Sequence, residues 1–189
     1  FLINPYGFLF DEITASNLVK VNLSEKIIGV IGIGNIGKEV IRLLYPFNCK
    51  ILVNDIIDQS KYYHDNNLEH VSKLELLRRS DIVTIHTPLN PEMHHFFDIN
   101  KFKIMKKESI LINTARGSII KTDDLKVALE NNYIKAAGID VFEEEPPFNL
   151  NLVHLPNIIC TPHIGGNSAE SVLAMGRSAI NLILSNTRI

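Results

Sequence analysis

Short runs of β-branched and aliphatic residues alternate along the chain with longer segments in which apolar positions recur every three or four residues. That rhythm is the signature of successive βαβ units around a parallel sheet. Lys26–Gly32 predicts a first strand and Asn35–Tyr45 the helix after it, stopped by Pro46. Cys49–Asn54 predicts the second strand. Ser72-Lys-Leu-Glu75 has the spacing of a capping box, in which both side chains satisfy free backbone N–H groups, and opens a helix running to about Arg79. Asp81–His86 follows as a third strand, then a short helix near Asn100–Met105 and a fourth strand at Ser109–Asn113. Thr122-Asp-Asp opens a helix ending near Asn132, and Ala136–Val141 is the fifth strand. Glu143–Asn151 reads as an acidic loop, Asn157–Thr161 as a further short strand, and Asn167-Ser-Ala-Glu170 as a second capping box before the last helix. Strands apolar on both faces suit a doubly wound α/β sheet covered on both sides. Phe1–Asn22 stands outside this rhythm and reads as an arm or a remnant of an upstream region.

Composition narrows the class. The chain has 189 residues, 46% hydrophobic and 21% charged, with a formal net charge of −2. At roughly 100–200 residues per domain this is one globular domain. The balanced charge and the lack of a basic stretch argue against a nucleic-acid partner. No apolar run approaches the roughly 18 residues of a spanning helix, so no membrane partner is expected. Cys49 and Cys160 lie at neither zinc-ligand nor disulfide-framework spacing, which favours an intracellular, cytoplasmic setting and no metal site. The chain starts at Phe1, so the lack of a signal-like segment weighs little.

The first chemical signal is Gly32-Ile-Gly34-Asn35-Ile36-Gly37, placed where the first strand turns into its helix. Gly32 permits a tight turn, Gly34 lets backbone approach a pyrophosphate, and Gly37 allows close packing of helix on strand. Free N–H groups around Asn35 and Ile36 then meet phosphate with a favourable dipole. Asp55 ends the second strand 21 residues beyond Gly34, near the position of an acid that accepts from the adenosine ribose. An acid there repels a 2′-phosphate and no Arg follows it, so NAD is favoured over NADP.

Three further segments place polar residues just past strand ends: Asn113-Thr-Ala-Arg116-Gly117, Asp140-Val-Phe-Glu-Glu-Glu145-Pro146 and Thr161-Pro-His163-Ile-Gly-Gly166. Each alone has a plain structural explanation. Together, an Arg, a Glu and a His at one edge of a nucleotide-binding sheet supply what hydride chemistry on a hydroxy acid requires. An Arg can hold a carboxylate bidentately. A His can take the hydroxyl proton as hydride leaves the adjacent carbon, and a neighbouring Glu can orient it and favour its protonated form.

From about Ser24 to its end the chain resembles the NAD-binding portion of the D-isomer-specific 2-hydroxyacid dehydrogenases, a family that includes D-lactate, glyoxylate/hydroxypyruvate and D-3-phosphoglycerate dehydrogenases. The resemblance implies a Rossmann-type fold, NAD as cofactor and a small 2-hydroxy or 2-oxo acid as substrate. It makes Arg116 the carboxylate anchor, Glu145 the partner of the catalytic histidine, and His163 the general acid/base. Asp140 matches the residue that holds the nicotinamide carboxamide, and Thr87, Pro88, Thr114, Ala115, His163 and Gly165 match positions along the cofactor. It further implies a homodimer formed through the NAD-binding domain. Residues 1–23 then form the arm, 24–166 the NAD-binding domain, and 167–189 a helix that returns to a flavodoxin-like substrate domain. That domain is largely absent here, so the chain alone is expected to bind NAD without turning over substrate. A binding protein resembling the C-terminal-binding corepressors, which sense NAD(H) with the same three residues, is the alternative; formate dehydrogenase is disfavoured because that branch has Gln at the position of Glu145.

Other polar residues read as structural. His94-His95 reads as surface and not as a metal pair, His86 as a packed or hydrogen-bonded histidine, and Glu143 and Glu144 as solvated loop charges. Arg78-Arg79 suits a helix C-terminus. Lys121 stands where the family often has Asp, leaving Thr122 as the expected cap of the next helix.

Overall fold

Branched side chains pack well on a pleated surface, and the Ile/Val/Leu runs become strands. In the structure, a computed structural model that describes residues 22–147 and 150–186, they form β1 (Ile27–Ile31), β2 (Lys50–Asn54), β3 (Glu69–His70), β4 (Ile82–Ile85), β5 (Ile110–Asn113), β6 (Ala136–Ile139) and β7 (Ile158–Cys160). All pair in parallel in the order β3-β2-β1-β4-β5-β6-β7. The helices are α1 (Asn35–Leu44), α2 (Ser60–Asp65), α3 (Lys73–Arg79), α4 (Ile99–Ile104), α5 (Thr122–Glu130), α6 (Leu150–Val153) and α7 (Ala169–Asn186). Strand order reverses at β1, which opens a crevice beyond the carboxyl ends of β1 and β4, where ligands bind in sheets of this kind.

Successive strand side chains point to opposite faces, and two separate hydrophobic clusters result. Ile28, Val30, Ile51 and Val53 join Ile41 of α1 and Tyr63 of α2 on one face. Ile31, Leu52, Val83, Ile85 and Leu111 join Leu76, Leu77, Phe97 and Phe102 on the other. A Cβ on Gly29 would lie 2.4 Å from Leu76 Cδ2, so α3 rests directly on the β1 backbone. Cys49 and Cys160 are free thiols, and burial pushes Cys160 up to about 11. Among the described residues no helix is long and apolar enough to cross a membrane, and no group of His, Cys, Asp or Glu could hold a metal.

Several local expectations need correction. The α2 helix and the two-residue β3 lie in a stretch with no predicted element, and α6 begins within the last two residues of the expected acidic loop Glu143–Asn151, of which Phe148 and Asn149 lie outside the described residues. Most of the expected arm, residues 1–21, also lies outside them. Ser72 Oγ does accept the Glu75 N–H at 3.2 Å, but the Glu75 carboxylate turns to Arg79 instead of closing the box. In the second box the cap moves one residue, because Ser168 Oγ accepts the Ser171 N–H at 3.1 Å while Asn167 Nδ2 donates to the His163 carbonyl at 3.2 Å. Thr122 is not a cap but the first residue of α5; its N–H goes to a carboxylate oxygen of Glu143 at 2.6 Å.

Phe102 is fully buried, with its ring centroid 6.2 Å from that of Phe97. Phe102→Ala is expected to lower unfolding stability by about 3–5 kcal/mol, read from the urea midpoint at unchanged m-value. A loss under about 1 kcal/mol would contradict a close-packed α4 face.

Candidate active site

The glycine-rich turn carries three glycines for three different reasons. Gly32 has φ +92°, and a Cβ there would sit 2.6 Å from the His86 carbonyl carbon. A Cβ on Gly37 would come within 2.0 Å of the Gly32 carbonyl oxygen, so helix and turn touch backbone to backbone. At Gly34 a Cβ would meet no protein atom within 4 Å: that glycine faces open space. Gly34 is also the N-cap of α1, no side chain caps the helix, and its first turn holds no acid. The N–H groups of the helix start, at Asn35 and Ile36, are therefore left for an anion, in line with the helix dipole.

Asp55 follows β2 and reaches this turn. One carboxylate oxygen accepts the Ile33 N–H at 2.5 Å and the other the Ile57 N–H at 2.8 Å. Gln59 Nε2 donates to the Ile33 carbonyl at 3.1 Å, so both peptide groups of Ile33 are held from the β2 side. Gly32, Gly34, Asp55, Thr87 and Pro88 line a single cavity of about 200 Å³, with exposed Ile56 and Ile57 at its mouth. An open glycine, an uncapped helix start and an acid around one cavity fit a dinucleotide whose ribose hydroxyls meet that acid.

The second group lies beyond β5, β6 and β7. Asp140 is buried, and its carboxylate accepts from Thr161 Oγ1 at 2.5 Å and from the N–H groups of Ile164 and Gly165 at 2.9 Å each. Burial raises its pKa, but these hydrogen bonds and the nearby His163 more than offset that and hold it below the ordinary carboxylate value. Three acceptor positions are filled, out of roughly four on an ionised carboxylate, which leaves room for one outside donor. His163 sits in the left-handed region at φ 53°, and its Nδ1 lies 2.7 Å from Glu145 Oε2. The hydrogen bond from His163, then that from the Phe142 N–H, depresses the Glu145 pKa. An ionised Glu145 only accepts, so Nδ1 is the donor in this pair and Nε2 is the ring nitrogen left for other partners. Half of the His163 side chain is open to solvent.

Arg116 stands apart. Asn113, fully buried, accepts the Ala115 N–H at 3.0 Å and donates to the Arg116 carbonyl at 2.9 Å, and so shapes the turn. The Arg116 side chain is exposed, its guanidinium donates to the Ala115 carbonyl at 2.6 Å, and among the described residues it makes no hydrogen bond or ion pair with Glu145 or His163. Thr114 is exposed and Ala115 half-buried on the same turn. His86 is half-buried with Nε2 2.9 Å from Thr84 Oγ1, and burial lowers its pKa. Sequence reasoning passed over Gln59 and named Asn113 within its segment without giving it a role, although an Asn closing a strand before Thr-Ala-Arg-Gly is a readable turn signal. It also misjudged two residues: Glu143 is only 25% exposed and bonds to Nε2 of His95, so neither is a free surface group.

Comparison with known proteins gives one family. Residues 11–165 match the family model of the D-isomer specific 2-hydroxyacid dehydrogenase, NAD binding domain. The chain is 37% identical over 175 residues to a glyoxylate reductase of Pyrococcus horikoshii, covering 87% of this chain and 52% of that protein. It is 38% identical over 157 residues to a D-3-phosphoglycerate dehydrogenase of Methanocaldococcus jannaschii, covering 82% and 30%. The chain thus spans about half, or less, of the curated relatives it matches. Among solved structures it resembles a D-isomer specific 2-hydroxyacid dehydrogenase from Lactobacillus delbrueckii ssp. bulgaricus in NAD-complexed form, with TM-score 0.84, 26% identity and coverage of 94% and 58%. A D-lactate dehydrogenase from Aquifex aeolicus complexed with NAD and lactic acid gives TM-score 0.83 at 27% identity, with coverage of 95% and 58%.

The Asp140 carboxylate yields a test of its structural part. A carboxyl with a depressed folded pKa stabilises the fold above its unfolded value and loses that contribution as pH falls through the folded one. Asp140→Asn is expected to lose about 1–3 kcal/mol at pH 7, with the gap to wild type narrowing below about pH 4. A gap that stays constant into acid would contradict the ionised, three-donor arrangement.

Proposed function

Since the chain belongs to the D-isomer specific 2-hydroxyacid dehydrogenases by its NAD-binding domain, we propose that the full-length protein interconverts a D-2-hydroxy acid and its 2-oxo acid. His163 is the general acid/base, Glu145 its partner and Arg116 the carboxylate anchor. The observation that carries this reading is the Glu145–His163 hydrogen bond, which occupies Nδ1 and leaves Nε2 available to a substrate at the edge where the strands end.

NAD, when bound, supplies the acceptor for the hydride leaving C2, or its donor in the reverse direction. The chain's residues do the rest. Gly32, Gly34, Gly37 and the first turn of α1 would hold the pyrophosphate, Asp55 the ribose hydroxyls, and the last acceptor position of Asp140 the carboxamide. Thr87, Pro88, Thr114, Ala115 and Gly165 would border the cofactor in this reading. In oxidation, His163 Nε2 takes the hydroxyl proton as the C–O bond becomes C=O. Glu145 holds the ring in one tautomer and stabilises the cation that forms. In reduction the same proton returns to the oxygen. Arg116, which has no carboxylate partner among the described residues, is available for a bidentate grip on the substrate carboxylate.

Residues 24–166 form the NAD-binding unit of this reading, and the segment from 167, which carries α7, packs on the rest of the full-length protein. The apolar residues that α7 exposes, among them Leu173 and Leu182, support the latter. By the same family relation the protein forms a homodimer through this unit, and the two free cysteines suit a reducing cytoplasm.

In the full-length protein His163→Ala is expected to lower turnover of the preferred 2-oxo acid by about 10²–10⁴-fold while NADH affinity, followed by fluorescence titration, stays within about twofold. Turnover comparable to wild type would sink the assignment of His163.

A further inference from the structure

The loop after β6 carries two glutamates that leave it in different directions. Glu145 meets His163. Glu143 turns to the segments on the other side: Oε2 accepts the Thr122 N–H at 2.6 Å, and Oε1 accepts from Nε2 of His95. Burial raises the Glu143 pKa, but the hydrogen bonds from Thr122 and then His95 hold it below the ordinary value, so it is the acceptor in both.

His95 is itself built in. It has φ 52°, in the left-handed region, its N–H donates to the Ser118 carbonyl at 2.8 Å, and its ring stacks on His94 with centroids 4.0 Å apart. The segment after Arg116 also lies against the Glu143 loop, since a Cβ on Gly117 would come within 1.9 Å of the Phe142 carbonyl carbon. One carboxylate therefore ties together the start of α5, just after the Arg116–Gly117 turn, the His95 loop, and the loop that presents Glu145. Glu145 adds a tie of its own, accepting the Phe142 N–H at 3.0 Å.

We propose that Glu143, clamped by His95 and the first N–H of α5, is a positioning residue that sets the Glu145–His163 pair and the Arg116 turn relative to one another. The inference rests on the roles given above to those three residues. It distinguishes two acids two residues apart: one partners the base, the other fixes the loop that carries the partner. A residue that only capped α5 would stabilise the helix and leave the Glu145–His163 pair unaffected.

The test uses full-length protein with glutamate ¹³C-labelled at Cδ, the Glu145 signal being assigned by its loss in Glu145→Gln. In Glu143→Ala the Glu145 carboxyl is expected to titrate higher than in wild type, toward the ordinary carboxylate value. Turnover falls tenfold or more, and NADH affinity stays within twofold. Glu143→Gln, whose amide oxygen still accepts from Thr122, recovers part of both effects. If Glu143→Ala does not fold, His95→Gly reads the same titration without removing the α5 contact and at a φ that glycine adopts freely. An unchanged Glu145 titration in a folded variant, even one of lower Tm, overturns the inference. Wild-type protein without turnover on any 2-oxo acid would instead count against the proposed function, and the Glu145 titration would still decide the role of Glu143.

Discussion

Parallel strands cannot be joined by tight hairpins, and this constraint shapes the whole molecule. Each pair of neighbouring strands needs a crossover, the crossovers cover both faces of the sheet, and all seven strands then end at the same edge. The two hydrophobic clusters are the energetic consequence, one under α1 and α2 and the other under α3, α4 and α5. The chemical consequence is that the segments beginning at Gly32, Asp55, His86, Thr114, Asp140 and Thr161 all emerge together, although they are spread over 130 residues of sequence.

Backbone and carboxylates divide the work at that edge. Close contact of Gly37 with the Gly32 carbonyl brings an uncapped helix start to the crevice, a task that no side chain could perform without blocking the approach. Carboxylates tie the loops to one another. Asp55 holds the glycine turn, Asp140 the segment after β7, Glu143 the start of α5, and Glu145 the ring of His163. Carboxylates gathered near one sheet edge would repel if left bare; each instead accepts from backbone N–H donors or a histidine, and for Asp140, Glu143 and Glu145 this outweighs the effect of burial and favours the ionised form.

Much of this could be read from residues alone, where local pattern and local structure coincide. The Ile/Val/Leu runs, the Gly32–Gly37 turn, Asp55 at the end of β2 and the Ser72 cap are of that kind. What escaped was non-local or too short. β3 is two polar residues, Glu69 and His70, and has no alternation to detect. Thr122 looks like a cap because its type favours one, yet Glu143, 21 residues away, takes the N–H first. His94-His95 looks like a surface pair because adjacent side chains usually diverge, yet His95, at positive φ, bonds to a glutamate 48 residues on, a contact with no local signal. The Glu145–His163 contact was implied by family resemblance and not by spacing, since no periodicity connects the ends of β6 and β7.

The account stands or falls on whether this edge performs hydride chemistry when the rest of the protein is present. The most direct measurement is NADH oxidation by the full-length protein against glyoxylate, hydroxypyruvate, phosphohydroxypyruvate, pyruvate and longer 2-oxo acids. Selective turnover of one of them, with NADH preferred to NADPH as Asp55 requires, is the expected result. Saturable NADH binding with no turnover of any 2-oxo acid would contradict it.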